Sequence, residues 1–159
     1  MANQQTLYSQ KQHDEFLFLG KLYTDENINF GKWYEDFNKT GGFEKINSYR
    51  KNKNGCLETV HFMLPKSWTV YIGIIADEIS IVPEGYISEK LPGGEFFVVA
   101  SEWKPTNEEA HESLDESERS KIMPNGYIEN GDNYLVIEKF YECAEKGHKW
   151  ERWYPIKKK

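Results

Sequence analysis

The stretch NYLVIEKFYE, residues 133–142, places one carboxylate, Glu138, at the centre of a run of aromatic and β-branched residues. In an extended strand successive side chains alternate between faces. Tyr134, Val136, Glu138 and Phe140 then point one way and Leu135, Ile137, Lys139 and Tyr141 the other. A carboxylate in an aromatic row is costly to bury unless it is paired, hydrogen-bonded or protonated. Such a position therefore belongs to an exposed strand face or to a site that uses the charge. Among rings, the charge suits a flat cation, which the carboxylate holds by attraction while ring faces stack or make cation–π contacts. Desolvation would raise its pKa and equip it for proton transfer.

Other chemistry-bearing residues form weaker patterns. Cys56 and Cys143 are the two cysteines, and each has a histidine five positions on, His61 and His148. Their separation matches neither a disulfide framework nor a four-ligand zinc set, so both read as free thiols and no metal site is expected. The glycines of PGGEFF at 92–97 lack the strand-to-helix setting of a phosphate loop, and no cofactor motif appears. A nucleophile elbow and a Ser/His/Asp order are absent, which leaves acyl transfer unsupported. His111 falls in the acidic run EEAHESLDESERSK at 108–121, which reads as a solvated helix face.

The elements that must position Glu138 follow from hydrophobic periodicity. FLFLGKLY at 16–23 reads as a strand, and INFGKWYEDFNK at 28–39 as a helix whose Phe30, Trp33, Tyr34 and Phe37 form a core stripe closed by TGG. LETVHFML at 57–64 and WTVYIGIIA at 68–76 read as a hairpin. The order then recurs: an extended segment at 85–101 broken at Pro92–Gly94, a helix over 105–123, and a closing hairpin at 134–156. WTVYIGI at 68–74 aligns with WERWYPI at 150–156, and LETVHF at 57–62 with LVIEKF at 135–140. These echoes predict an α+β domain of duplicated βαββ units, about 16–76 and 85–156, related by a pseudo-twofold, with antiparallel sheets and helices framing a central cleft.

Composition bounds the partners. The 159-residue chain is long enough for a core as one domain spanning 1–159, is 15% aromatic, and carries a net charge of −6. Ten Tyr and five Trp exceed what a small core needs and equally suit a ring-lined pocket. Dispersed lysines on an acidic chain disfavour direct nucleic-acid binding. No apolar run approaches a signal peptide or a membrane span, so a cytoplasmic protein is expected.

The segments YIGIIADE, VPEGYISEKLPGGEFFVVAS, MPNGYIENGDNYLVIEKFYE and ERWYPIK, taken in order, resemble the signatures of the GyrI-like small-molecule-binding domain. That bacterial module also forms the effector-binding domain of AraC-type and MerR-type multidrug regulators. The resemblance implies the same duplicated βαββ fold, an aromatic cleft for an amphipathic, ring-containing and in some cases cationic ligand, and a pocket glutamate at Glu138. Tyr71, Trp68, Tyr134, Trp150 and Trp153 are the candidate ring partners, with the face each presents left open. A regulator of this family would carry a helix-turn-helix, and the residues before 16 hold none, so a standalone copy without a DNA-binding domain is expected. Two rivals follow from the same resemblance. One is a hydrolase of reactive cyclopropane-bearing xenobiotics with Glu138 as general acid/base, and the other a protein-interaction modulator of the gyrase-inhibitor kind.

Overall fold

The computed structural model describes residues 7–25, 27, 29–51, 56–64, 67–118, 123–131 and 135–159. Its strands are β1 (Leu7–His13), β2 (Phe16–Thr24), β3 (Cys56–Leu64), β4 (Thr69–Ile75), β5 (Ile87–Leu91), β6 (Gly94–Ala100), β7 (Tyr127–Glu129), β8 (Val136–Cys143) and β9 (Gly147–Lys158). The helices are α1 (Phe30–Lys39), between β2 and β3, and α2 (Asn107–Glu118), between β6 and β7. The strands form one antiparallel sheet in the order β1-β6-β9-β8-β3-β4-β2-β5, with β7 on β9. The α+β class expected from the sequence is therefore present. The strands of the first half, β2, β3 and β4, lie together, as do those of the second, β6, β8 and β9, and the two sets meet at the β3–β8 pair.

The sheet is strongly curled. Phe16 on β2 and Phe96 on β6 have ring centroids 6.0 Å apart, although five strand spacings separate them in the order, which in a flat sheet would be about 24 Å. The kinked pair β1–β2 and β5–β6 draws the ends together. Leu7 opposes Ala100, His13 opposes Gly94 and Phe16 opposes Leu91, one antiparallel register carried through both kinks. Close approach also fixes the β2–β4 contact, where Gly20 faces Gly73. A Cβ on Gly73 would lie 2.2 Å from the Leu19 carbonyl oxygen, so any larger residue must push the strands apart.

Curling gives the sheet an inner face and a helix-bearing face. The inner face packs Phe16, Phe18, Phe62, Tyr71, Ile137 and Trp153, among others. Outside, α1 sets Trp33 and Phe37 against Leu19, Ile72 and Ile74, while Leu114 of α2 covers Phe97, Val99 and Ile156. Local signals define both helices. The Asn29 side chain caps α1 by accepting from the Lys32 amide at 3.1 Å, and Gly41 and Gly42, both at positive φ, end it. Thr106 caps α2 by accepting from the Glu109 amide at 3.1 Å.

Three expectations are corrected. Cys56 and Cys143 are not free thiols. They oppose each other in the β3–β8 register and form a disulfide with Cα atoms 4.4 Å apart across 87 residues of sequence. Sequence spacing could not show this, because tertiary pairing sets their proximity. The first strand begins before the one expected at 16–23: Leu7–His13 form β1, paired with β6. Finally, the residue echo does not hold across both strands of each hairpin. Phe62 pairs with Tyr71, but Phe140, its expected counterpart, pairs with Trp150, and Trp153 pairs with Ile137. Aligning LETVHF with LVIEKF therefore shifts the strand by an odd number of residues and moves its side chains to the opposite face.

Candidate functional site

Between α1 and α2, above the β3–β8 seam, lies a cavity of about 500 Å³ lined by Phe30, Tyr34, Phe43, Thr59, His61, Asn107, His111, Glu138, Phe140, Trp150 and Arg152. Its floor is a small grid. His61, Glu138 and Arg152 are neighbours across β3, β8 and β9, and two residues along so are Thr59, Phe140 and Trp150. Period-two alternation explains why these residues share a face while Ile137, Lys139 and Trp153 turn inward. The walls come from α1, which contributes Phe30 and Tyr34 one turn apart, and from α2, which contributes Asn107 and His111.

Glu138 sits at the centre of a hydrogen-bonded chain, with its side chain 8% exposed. His61 Nδ1 lies 3.3 Å from Oε1, and Arg152 Nε donates to Oε2 at 2.7 Å. Burial by itself would raise the Glu138 carboxyl, but the His61 hydrogen bond and the Arg152 charge together outweigh it and hold the group below the usual carboxylate range. For His61, burial dominates and lowers the pKa against the opposing pull of Glu138. A neutral His61 beside an ionised carboxylate donates through Nδ1. Nε2 is then the acceptor for the Tyr34 hydroxyl, with which it is hydrogen-bonded. Burial, then the Glu138 charge, raises the Tyr34 phenol, which keeps its proton at neutral pH.

Arg152 is shared among acids. Its guanidinium also pairs with Glu118 and, at 3.3 Å, with Asp115, both on α2. Three carboxylates surround one guanidinium at this end of the cavity, and one of them, Asp115, also lies 3.4 Å from His111 Nε2. The remaining lining is aromatic. Phe30 stacks on His61 at 4.8 Å, Phe140 meets Trp150 edge to face at 4.0 Å, and His111 packs on Trp150 at 4.3 Å. Asn107 Oδ1 accepts the Trp150 indole N–H at 2.7 Å, which fixes that ring.

Of the six residues singled out from sequence, Glu138 and Trp150 meet in this cavity. Tyr71 and Trp153 belong to the inner-face core. Trp68 is half-exposed, at positive φ, immediately before β4. Tyr134 lies outside the described residues. Sequence reasoning passed over His61, Arg152, Phe140 and the α1 pair Phe30 and Tyr34. The α1 stripe packs as a core element, with Trp33 and Phe37 buried, and its partly buried members Phe30 and Tyr34 also line the cavity. His111, expected in solvent, keeps a side chain 40% exposed while packing on Trp150 and lying 3.4 Å from Asp115. The alternation that exposed Glu138 could have found Phe140, and applied to LETVHF it offered His61 as a polar residue within an apolar strand.

The fold and site define a class: an α+β protein in which a curled antiparallel sheet and two helices enclose a ring-lined, acid-floored cavity. In fold the chain is similar to SAV2435, whose solved structure has tetraphenylphosphonium bound. The two align with a TM-score of 0.68 over 95% of this chain and 94% of that one, at 11% sequence identity. At that identity the likeness concerns the fold. No protein-family model matches the chain, and no curated protein does.

Proposed function

We propose that this protein is a small-molecule-binding protein of the GyrI-like kind, built from two diverged βαββ halves, whose cavity between α1 and α2 takes amphipathic aromatic cations. The observation that carries the reading is Glu138. Its carboxylate is buried at the floor of an aromatic cavity, kept ionised by His61 and Arg152, and accompanied by more acid than base. A delocalised cation gains charge attraction there and stacks against Phe30, Phe140 and Trp150 without demanding a hydrogen bond. The tetraphenylphosphonium held by SAV2435 is of this class. Strand order supports the duplication, since β6-β9-β8 and β3-β4-β2 are mirror sequences about the seam.

Tetraphenylphosphonium is the natural first probe. Tryptophan emission should be quenched saturably, with Trp150 as the reporter, and Trp150→Phe should remove most of the signal change. A neutral analogue such as triphenylphosphine oxide should bind at least tenfold more weakly. Equal affinity for cation and neutral analogue, or quenching that never saturates, would contradict the reading.

A second reading, hydrolysis of a reactive xenobiotic, is favoured by one observation. The chain Tyr34–His61–Glu138 is an acid–base relay with a hydroxyl at its end. In it Glu138 orients His61; a water attacks a strained-ring carbon of a bound electrophile as the ring bond breaks, the water's proton passes to Tyr34 while the phenolic proton passes to His61 Nε2, and His61 returns that proton through Tyr34 to the opened ring atom. Catalytic turnover of a strained-ring electrophile, lost in Tyr34→Phe with substrate affinity retained, would establish it.

A further inference from the structure

The cavity floor continues past the rows already described. On the same face, Leu57, Glu142 and His148 form a third row across β3, β8 and β9, two residues beyond Thr59, Phe140 and Trp150. This row borders a second hollow of about 410 Å³, lined also by Asn47 and Arg50. The two hollows share Phe43, Thr59, Asn107 and Phe140, so they form one groove running along β8. Each outer row has a carboxylate at its centre, Glu138 at one end and Glu142 at the other, four residues apart on one strand face. At about 3.4 Å per residue the two are separated by roughly 14 Å. The row between them sets Phe140 and Trp150, in edge-to-face contact, beside Thr59.

The cation nearest the second hollow is committed elsewhere. Arg50 donates from Nε to Asn47 Oδ1 at 2.8 Å and from a terminal nitrogen to the Glu58 carbonyl, and its guanidinium lies 5.7 Å from the Phe43 ring centroid. Among the described residues no lysine or arginine pairs with the exposed Glu142. Ring surface flanked by two carboxylates at a fixed spacing is complementary to an elongated molecule with positive charge at both ends.

We propose that the groove binds linear dications, with one cationic end over Glu138, a flat aromatic spacer across Phe140 and Trp150, and the second cationic end at Glu142. This rests on the binding function above and narrows its ligand class to compounds whose charges stand about 11–15 Å apart, the span of four strand residues with allowance for side-chain reach.

The test compares two series by calorimetry on the intact protein at low salt. One consists of bis(trimethylammonium) compounds with aromatic spacers of graded length, and the other of their monocationic counterparts with one neutral end. Because Glu142 is exposed, the expected gain is modest. A dication of matched spacing should bind roughly three- to fivefold tighter than its monocation, and the gain should fade with salt. A dication too short to reach should gain nothing. Glu142→Gln should abolish the gain and leave monocation affinity unchanged. If monocations bind and dications of every length bind no better, the dication proposal falls and the binding function stands. If neither series binds, both fall.

Discussion

Glu138→Gln preserves the side-chain shape and removes the charge on which the site is organised. In the native protein two donors converge on the carboxylate, His61 Nδ1 at 3.3 Å and Arg152 Nε at 2.7 Å. A carboxamide has a single acceptor oxygen, so it serves one of them, and its amino group opposes the other. With the amide oxygen on Arg152 the surviving bond keeps its ionised donor but loses the opposing charge, and falls toward the lower end of the roughly 1.5–3 kcal/mol of a charge-assisted bond. The other is lost, but Arg152 retains Asp115 and Glu118, which limits the penalty. The expected destabilisation at neutral pH is about 2–3 kcal/mol, which at a urea m-value near 2 kcal/mol/M is a midpoint shift of roughly 1–1.5 M. Urea unfolding followed by far-UV circular dichroism measures it. A cycle with Arg152→Met should return a coupling of about 1 kcal/mol between the two sites. A loss below about 0.5 kcal/mol together with zero coupling would mean that the carboxylate is solvated and the described network does not hold it.

Two further outcomes follow from the same geometry. Reduction of Cys56–Cys143, or replacement of both cysteines by serine, reopens a loop of 87 residues and should cost about 2–4 kcal/mol, seen as a lower thermal midpoint in the presence of reductant; an unchanged midpoint would refute a stabilising bridge. His61 has its pKa lowered by burial from an ordinary value of 6.5, so the unfolded chain binds the extra proton first and stability must decline as pH falls below about 6.5; His61→Gln should flatten that part of the stability curve, and an unaltered slope would refute the buried neutral histidine.

What could be read from the sequence was local, and what could not was set by pairing between distant strands. The turn signals TGG and Pro92–Gly94, the α1 and α2 patterns and the closing hairpin each depend on neighbours within a few residues. All correspond to observed elements. Parity along NYLVIEKFYE was equally legible and put Glu138 and Phe140 on one face. The disulfide, the β1–β6 pairing and the grouping of His61 with Arg152 depend on which strand lies beside which, and no local period carries that information. Lys139 shows the same limit. Alternation puts it with Leu135, Ile137 and Tyr141 on the face opposite Glu138, and its side chain is just 7% exposed. It is buried on the inner face, 3.6 Å from Glu58 and 4.1 Å from the Trp153 ring centroid. Alternation assigns faces, but it cannot say that both faces of a strand are covered, because that requires the sheet to curl.

That double burial explains how a single strand can carry the site. With one face exposed, Glu138 would be an ordinary solvated acid, and its charge would be too well screened to select among ligands. Curling shields β8 from inside, and the two helices shield it from outside, so the charge acts in a setting of low polarizability where attraction is strong. Neither half of the chain achieves this alone. The first half brings His61, Phe30 and Tyr34, and the second brings Glu138, Arg152, Trp150 and His111. They meet where β3 pairs with β8, the same pair that the disulfide ties at its end. The seam between the halves is thus the structural element on which the proposed ligand recognition depends, and a change in its register by one residue would turn Glu138 inward and replace it with Lys139 or Ile137.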